Sequence, residues 1–192
     1  MNKNVLICIP SFDQKIHLET ISSIICVIDA DIVFEPQDLI RVLLFDKPLT
    51  SAPYPLKHEE KIEKGDASKG WCLNFPLGKY DLTDNNKGFK KVNYVGTGFM
   101  CIERIVFETI IKKYPSIEYL SDIKANIDGK REIDGKKEYA ENTKRYLSED
   151  YYFCALWKQC NGEIWSDLTS QLKHIGIKEY TRLPIAKIKE KK

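Results

Sequence analysis

The sequence predicts an α/β protein, and two apolar runs with the helical stripes that follow them carry that prediction. Val5-Leu6-Ile7-Cys8-Ile9 is wholly apolar and stops at Pro10, the pattern of a parallel strand buried on both faces. Ile25-Cys26-Val27-Ile28-Asp29-Ala30-Asp31-Ile32-Val33-Phe34 reads as a second buried strand. Pro36 suits a first helical position, and Leu39, Ile40, Leu43 and Leu44 form a stripe that Pro48 closes. The 192 residues are enough for one domain with a real core, and 43% hydrophobic and 11% aromatic content fit a globular protein. Residues 1–182 read as a single domain and 183–192 as a basic tail.

The remaining elements follow in order. Ser11-Phe12-Asp13-Gln14 reads as a turn, and residues 16–25 have helix-like apolar spacing. Residues 49–55 look extended, with prolines that suit an edge or a strand end. Residues 57–70 are polar and form a loop, and Trp71 to Phe75 reads as a strand. A turn signal at 84–88 precedes Val92 to Ile102, a strand broken by Gly96 and Gly98. A helix over about 103–114 turns Ile105, Val106, Ile110 and Ile111 inward. Residues 121–150 hold 15 charged side chains, so most of that stretch reads as a surface loop. Ser148 caps a last helix, with Glu149 and Asp150 in its first turn and Asn161-Gly162 at its end. Glu163-Ile164-Trp165 reads as a short strand, with His174 beyond it.

Bulk properties exclude several classes. The formal net charge is +2, and four tail lysines against Glu190 account for more than that. The rest of the chain carries no broad basic footprint, so no nucleic-acid partner is expected. No apolar run approaches the ~18 residues of a membrane span, and no signal-peptide pattern stands at the N-terminus. The six cysteines form no Cys-x-x-Cys pair and mostly sit in apolar runs, which favours a reducing, cytoplasmic setting.

The chemistry concentrates at Asp29 and Asp31. Aspartate is depleted in strands and seldom buried without a partner, so two at the end of an apolar strand need a reason. Residues i and i+2 of an extended segment share one side, so both carboxylates could converge on a hard divalent ion. The simpler reading is a strand end with one Asp capping the next helix. Likewise, Glu149 and Asp150 could merely complement a helix dipole, Gly96 and Gly98 could mark a bulge, and His174 could be structural.

Taken together, Asp29-Ala30-Asp31, then Val95-Gly96-Thr97-Gly98-Phe99-Met100 with Arg104, then Leu147 to Cys154 with Trp157, then His174-Ile175-Gly176 resemble the GT-A class of nucleotide-sugar glycosyltransferases, family-2-like in type. With Ile9-Pro10-Ser11, the resemblance spans most of residues 5–180. It implies a Rossmann-like α/β/α sandwich with a mostly parallel central sheet. It also implies transfer of a sugar from a nucleoside-diphosphate donor to a glycan or other acceptor hydroxyl. Asp29, Asp31 and His174 would hold Mn²⁺ or Mg²⁺ against the diphosphate. Asp150 matches the catalytic base of inverting members. Pro10, Asp13, Gly96, Thr97, Gly98 and Glu149 would contact substrate.

One departure is large. Only residues 11–24 separate the first two strands, room for at most one crossover, so roughly fifty residues of the nucleoside-binding wall are missing against an ordinary sheet of this type. The chain therefore reads as a metal-dependent glycosyltransferase or as a non-catalytic relative that binds a nucleotide, glycan or protein. A metal-dependent nucleotidyl or phosphoryl transferase is a third reading, without a Gly-x-x-x-x-Gly-Lys loop to support it. A shortened sheet edge would also invite pairing with a second copy.

Overall fold

A computed structural model describes residues 5–8, 23–57, 70–74, 87–117, 132–133, 136–137, 148–177 and 179–181. The expected turn at 11–14, the helix up to residue 22, most of the 57–70 and 121–147 loops, and the tail lie outside them. The described fold is mixed α/β, with helices α1 (Pro36–Leu44), α2 (Arg104–Lys113) and α3 (Glu149–Gln159). The main sheet uses β1 (Val5–Cys8), β2 (Ile24–Ile28), β4 (Leu49–Ser51), β6 (Phe89–Val92), β8 (Phe99–Glu103) and β11 (Ile164–Asp167), in the order β1-β2-β8-β4-β11-β6. A second sheet joins β3 (Ile32–Val33), β12 (Lys173–Ile175) and β13 (Glu179–Tyr180). Two small antiparallel pairs complete the set: β5 (Leu73–Asn74) with β7 (Tyr94–Val95), and β9 (Glu132–Ile133) with β10 (Lys136–Lys137).

The sheet is not mostly parallel. β1 pairs parallel with β2, and β4 with β11, but β8 runs antiparallel to both β2 and β4, and β6 antiparallel to β11. An apolar run without alternation signals burial on both faces, and it carries no information on strand direction. β8 is such a run. Met100 and Ile102 join a core with Val106 and Ile110 of α2 and Cys154, Leu156 and Trp157 of α3. Phe99 and Cys101 point into a second core with Val42 of α1, Cys26 and Trp165. Helices therefore cover both faces. Each fully buried large side chain on β8 contributes about 2 kcal/mol of apolar burial.

Three further expectations change. Residues 25–34 are not one strand: β2 ends at Ile28, a turn covers Asp29 to Asp31, and β3 begins at Ile32. Ile24 and Ile25 belong to β2, not to a preceding helix. The helix stripes also rotate. Ile40 and Leu44 are 52% and 77% exposed, and Ile105 and Ile111 are 49% and 43% exposed, while Val42, Val106 and Ile110 are buried. A nine- or ten-residue helix spans under three turns, so apolar residues on its flanks blur the stripe.

α1 is locked to the sheet by charge. Asp167, at the end of β11, is fully buried. Arg41 Nε donates to its Oδ2 at 2.7 Å and Nη2 to its Oδ1 at 3.1 Å. Thr169 N (3.0 Å), Thr169 Oγ1 (2.6 Å) and Ser170 Oγ (3.0 Å) donate to the same carboxylate. Arg41→Ala leaves a buried carboxylate without its cation. The expected cost is about 2–3 kcal/mol, below the usual range for a broken buried pair because three other donors remain. Urea unfolding should show a lower midpoint at unchanged slope, and an unchanged midpoint would show that the neutral donors suffice.

Candidate functional site

The site is assembled at the C-terminal end of β2. The turn after it closes with Ile32 N donating to Asp29 O at 3.0 Å. Asp29 and Asp31 therefore meet across a turn, where alternation along an extended strand had been expected. Asp29 N also donates to Gly98 O at 3.1 Å, which ties the first carboxylate to the start of β8. Ile175 N donates to Asp31 O at 2.8 Å, and His174 stands opposite Ile32 in the β12–β3 register. These backbone bonds thus bring Asp31 beside His174, with Asp29 on the same turn.

His174 is oriented by a carbonyl. Its Nδ1 lies 2.8 Å from Pro55 O, an acceptor with no proton to give, so Nδ1 carries the hydrogen. In the neutral ring Nε2 then presents a lone pair, and it faces Asp31 Oδ2 at 3.4 Å. Such a carbonyl partner is the usual way a metal-binding imidazole is aimed. Tyr54 supports the ring edge-on, with centroids 5.4 Å apart. Lys57 Nζ donates to Asp31 Oδ2 at 2.6 Å.

The two carboxyl groups differ. Burial and the neighbouring Asp31 raise Asp29 above the usual carboxylate range, and Asp150 adds to this. The Lys57 hydrogen bond holds Asp31 below that range. Asp150 stands at the N-terminal turn of α3, with its Oδ1 accepting from Tyr151 N at 2.7 Å and from Ser148 Oγ. It is close enough to act electrostatically on Asp29 and on Cys72. Glu149 is exposed beside it.

Gly96 and Gly98 are buried, and Thr97 between them is half-buried. A Cβ at Gly96 would stand 2.4 Å from Tyr54 Oη and 2.3 Å from Cys72 Sγ; one at Gly98 would stand 2.5 Å from Tyr54 Cζ. The close approach these glycines permit is therefore to Tyr54. Gly98 N also donates to Tyr54 Oη at 3.2 Å. Burial pushes the Cys72 thiol up to about 11 against the opposing hydrogen bond with Tyr54, so it is no thiolate nucleophile at neutral pH. Pro10 and Asp13 lie outside the described residues.

Among the described residues no three His, Cys, Asp or Glu side chains are grouped so as to hold a metal ion. Two donors, the His174 imidazole and the Asp31 carboxylate it faces, fit a divalent ion that takes its other positions from phosphate and water. Tyr54, Pro55 and Lys57 were not singled out by sequence. Their stretch reads as an ordinary proline-containing connection, and one lysine among many carries no local signal.

No protein-family model matches the chain, and no curated protein matches it. Among solved structures, a crystal structure of A197 from STIV is similar over 80% of this chain and 58% of that one, at 14% identity and a TM-score of 0.40. At that distance the likeness carries no argument about family or function. No helix among the described residues is long and apolar enough to cross a membrane.

Asp29 generates a stability prediction. A carboxyl whose folded-state pKa is raised opposes folding once it ionises, and that penalty vanishes below the ordinary value of 3.8. Without added metal, Asp29→Asn should therefore raise the melting temperature at pH 7. The gain should disappear as pH falls below the ordinary carboxylate range. A lower melting temperature at pH 7 would show that ionised Asp29 makes contacts that outweigh its desolvation.

Proposed function

We propose that this protein is a metal-dependent glycosyltransferase of GT-A type, transferring a sugar from a nucleoside-diphosphate donor to an acceptor hydroxyl with inversion. One observation carries the reading. His174, far in sequence from the Asp29–Asp31 turn, comes to the same sheet end, and its Nε2 is turned toward Asp31 by Pro55 O. Asp150, at a helix N-terminus, acts electrostatically on the same group. Helices on both faces of the sheet agree with the α/β/α sandwich this class uses.

In this reading Asp31 and His174, with Asp29 beside them, hold Mn²⁺ or Mg²⁺. The ion supplies Lewis-acid compensation for charge on the departing diphosphate. Asp31 is favoured in its ionised form and so is ready to bind. Asp29 must lose its proton against burial, so binding at Asp29 strengthens as pH rises through its raised range. Asp150 accepts the proton of the attacking hydroxyl as the new bond forms at the anomeric carbon.

A second reading, a non-catalytic relative that binds a nucleotide or glycan, is favoured by one feature: Asp31 is already paired with Lys57. Turnover separates the two. Purified protein is incubated with UDP-, GDP- and CMP-sugars, with Mn²⁺ or with EDTA, and donor hydrolysis is followed. The glycosyltransferase reading expects hydrolysis of one donor that depends on Mn²⁺. It also expects Asp150→Asn to lower kcat about 10²–10⁴-fold with little change in KM. Nucleotide binding with no turnover of any donor would favour the second reading.

A further inference from the structure

We propose that Lys57 is a tethered cation that stands in for the metal against Asp31 and is handed to the donor's diphosphate when a divalent ion binds. The proposal rests on the glycosyltransferase reading and concerns regulation of that same site.

Lys57 Nζ and His174 Nε2 both face one oxygen, Asp31 Oδ2, at 2.6 and 3.4 Å. An ion held between His174 Nε2 and the Asp31 oxygen it faces sits beside the ammonium, so the two cations compete for that oxygen. Lys57 is also built into the site. A Cβ at Gly176 would lie 3.4 Å from Lys57 Cδ and 3.6 Å from its Cε, so the aliphatic stem runs past the β12–β13 connection. The backbone that carries Lys57 also carries Pro55, whose carbonyl aims His174, and Leu56, whose N–H donates to Gly70 O at 2.8 Å. One short segment therefore sets both the imidazole and its competing cation.

Charge sets the direction of exchange. Asp31 and Asp150 both act on Asp29 here, and Lys57 and His174 are the groups that oppose them. A divalent ion offsets more of that charge than Lys57 does. The Lys57 side chain is 38% exposed, and partly exposed ion pairs contribute little, so its release costs little. A released ammonium on a flexible four-carbon stem suits a phosphate oxygen as a point charge. The ion pair thus satisfies Asp31 before an ion binds, and the arriving metal–diphosphate satisfies both partners.

Calorimetric titration tests this with Mn²⁺ alone, then with UDP and GDP at saturating Mn²⁺, on the wild type, Lys57→Gln and Lys57→Arg. Melting curves confirm that the variants fold. Lys57→Gln is expected to bind Mn²⁺ about fivefold tighter, the scale of one partly exposed ion pair, and the nucleotide about fivefold weaker. Lys57→Arg should retain nucleotide affinity better than Lys57→Gln. Mn²⁺ binding by Lys57→Gln but not by the wild type also supports the exchange. Unchanged or weaker Mn²⁺ binding by Lys57→Gln, with a wild type that binds Mn²⁺, overturns it while leaving the metal site standing. Unchanged nucleotide affinity overturns the hand-over to diphosphate. No Mn²⁺ binding by any of the three proteins overturns the glycosyltransferase reading itself, and the exchange with it.

Discussion

Strand β8 pairs along both edges, five residues with β2 and three with β4, and buries side chains on both faces. The backbone just before it borders the candidate site. Gly98, just before β8, accepts from Asp29 N on one side and donates to Tyr54 Oη on the other. The same insertion fixes the core: Met100 and Ile102 meet α2 and α3, while Phe99 and Cys101 meet the α1 side. The carboxylate turn and the Tyr54–Pro55 segment hang from one buried antiparallel strand. A side chain at Gly98 would drive Tyr54 away from this strand, because the ring occupies the space a Cβ would need.

The electrostatics of the site follow from that placement. A strand end brings Asp29 partly out of water, and a tight turn brings Asp31 against it. Their proximity is costly unless a cation is present, and Lys57 supplies one on Asp31. The Pro55 carbonyl holds the Nδ1–H of His174 and so turns Nε2 into the same region. Nε2 and the carboxylate facing it need a proton or a metal between them. The arrangement is thus preorganised for positive charge, whereas the Arg41–Asp167 pair, already saturated by five donor contacts, is structural.

Much of this was legible in the chain, for identifiable reasons. The strands at Val5–Cys8 and Ile24–Ile28 follow from apolar runs, and α3 begins after Ser148, whose hydroxyl bonds Asp150 and caps no backbone N–H, and stops at a left-handed Asn161, whose φ is 59°. The direction of β8 was not legible, because a strand buried on both faces reads the same either way. The turn at Asp29–Asp31 was hidden inside a continuous apolar run, since Ile32 resumes the pattern after three residues. Asp29, Asp31 and His174 were found as residue types in order, but their meeting depends on β3 and β12, strands of two and three residues too short to announce themselves. Lys57 and the Pro55 carbonyl act through tertiary placement alone, which no local pattern encodes.

The central claim is that the Asp31–His174 pair completes a metal-dependent nucleotide pocket. Thermal unfolding of the wild type and Asp31→Ala with UDP, GDP and CMP, each with Mn²⁺ and with EDTA, tests it most directly. The account predicts that one nucleotide raises the wild-type melting temperature only with Mn²⁺, and that Asp31→Ala abolishes the shift. A cooperative wild-type transition unmoved by any nucleotide or metal, or a shift that survives in Asp31→Ala, would contradict it.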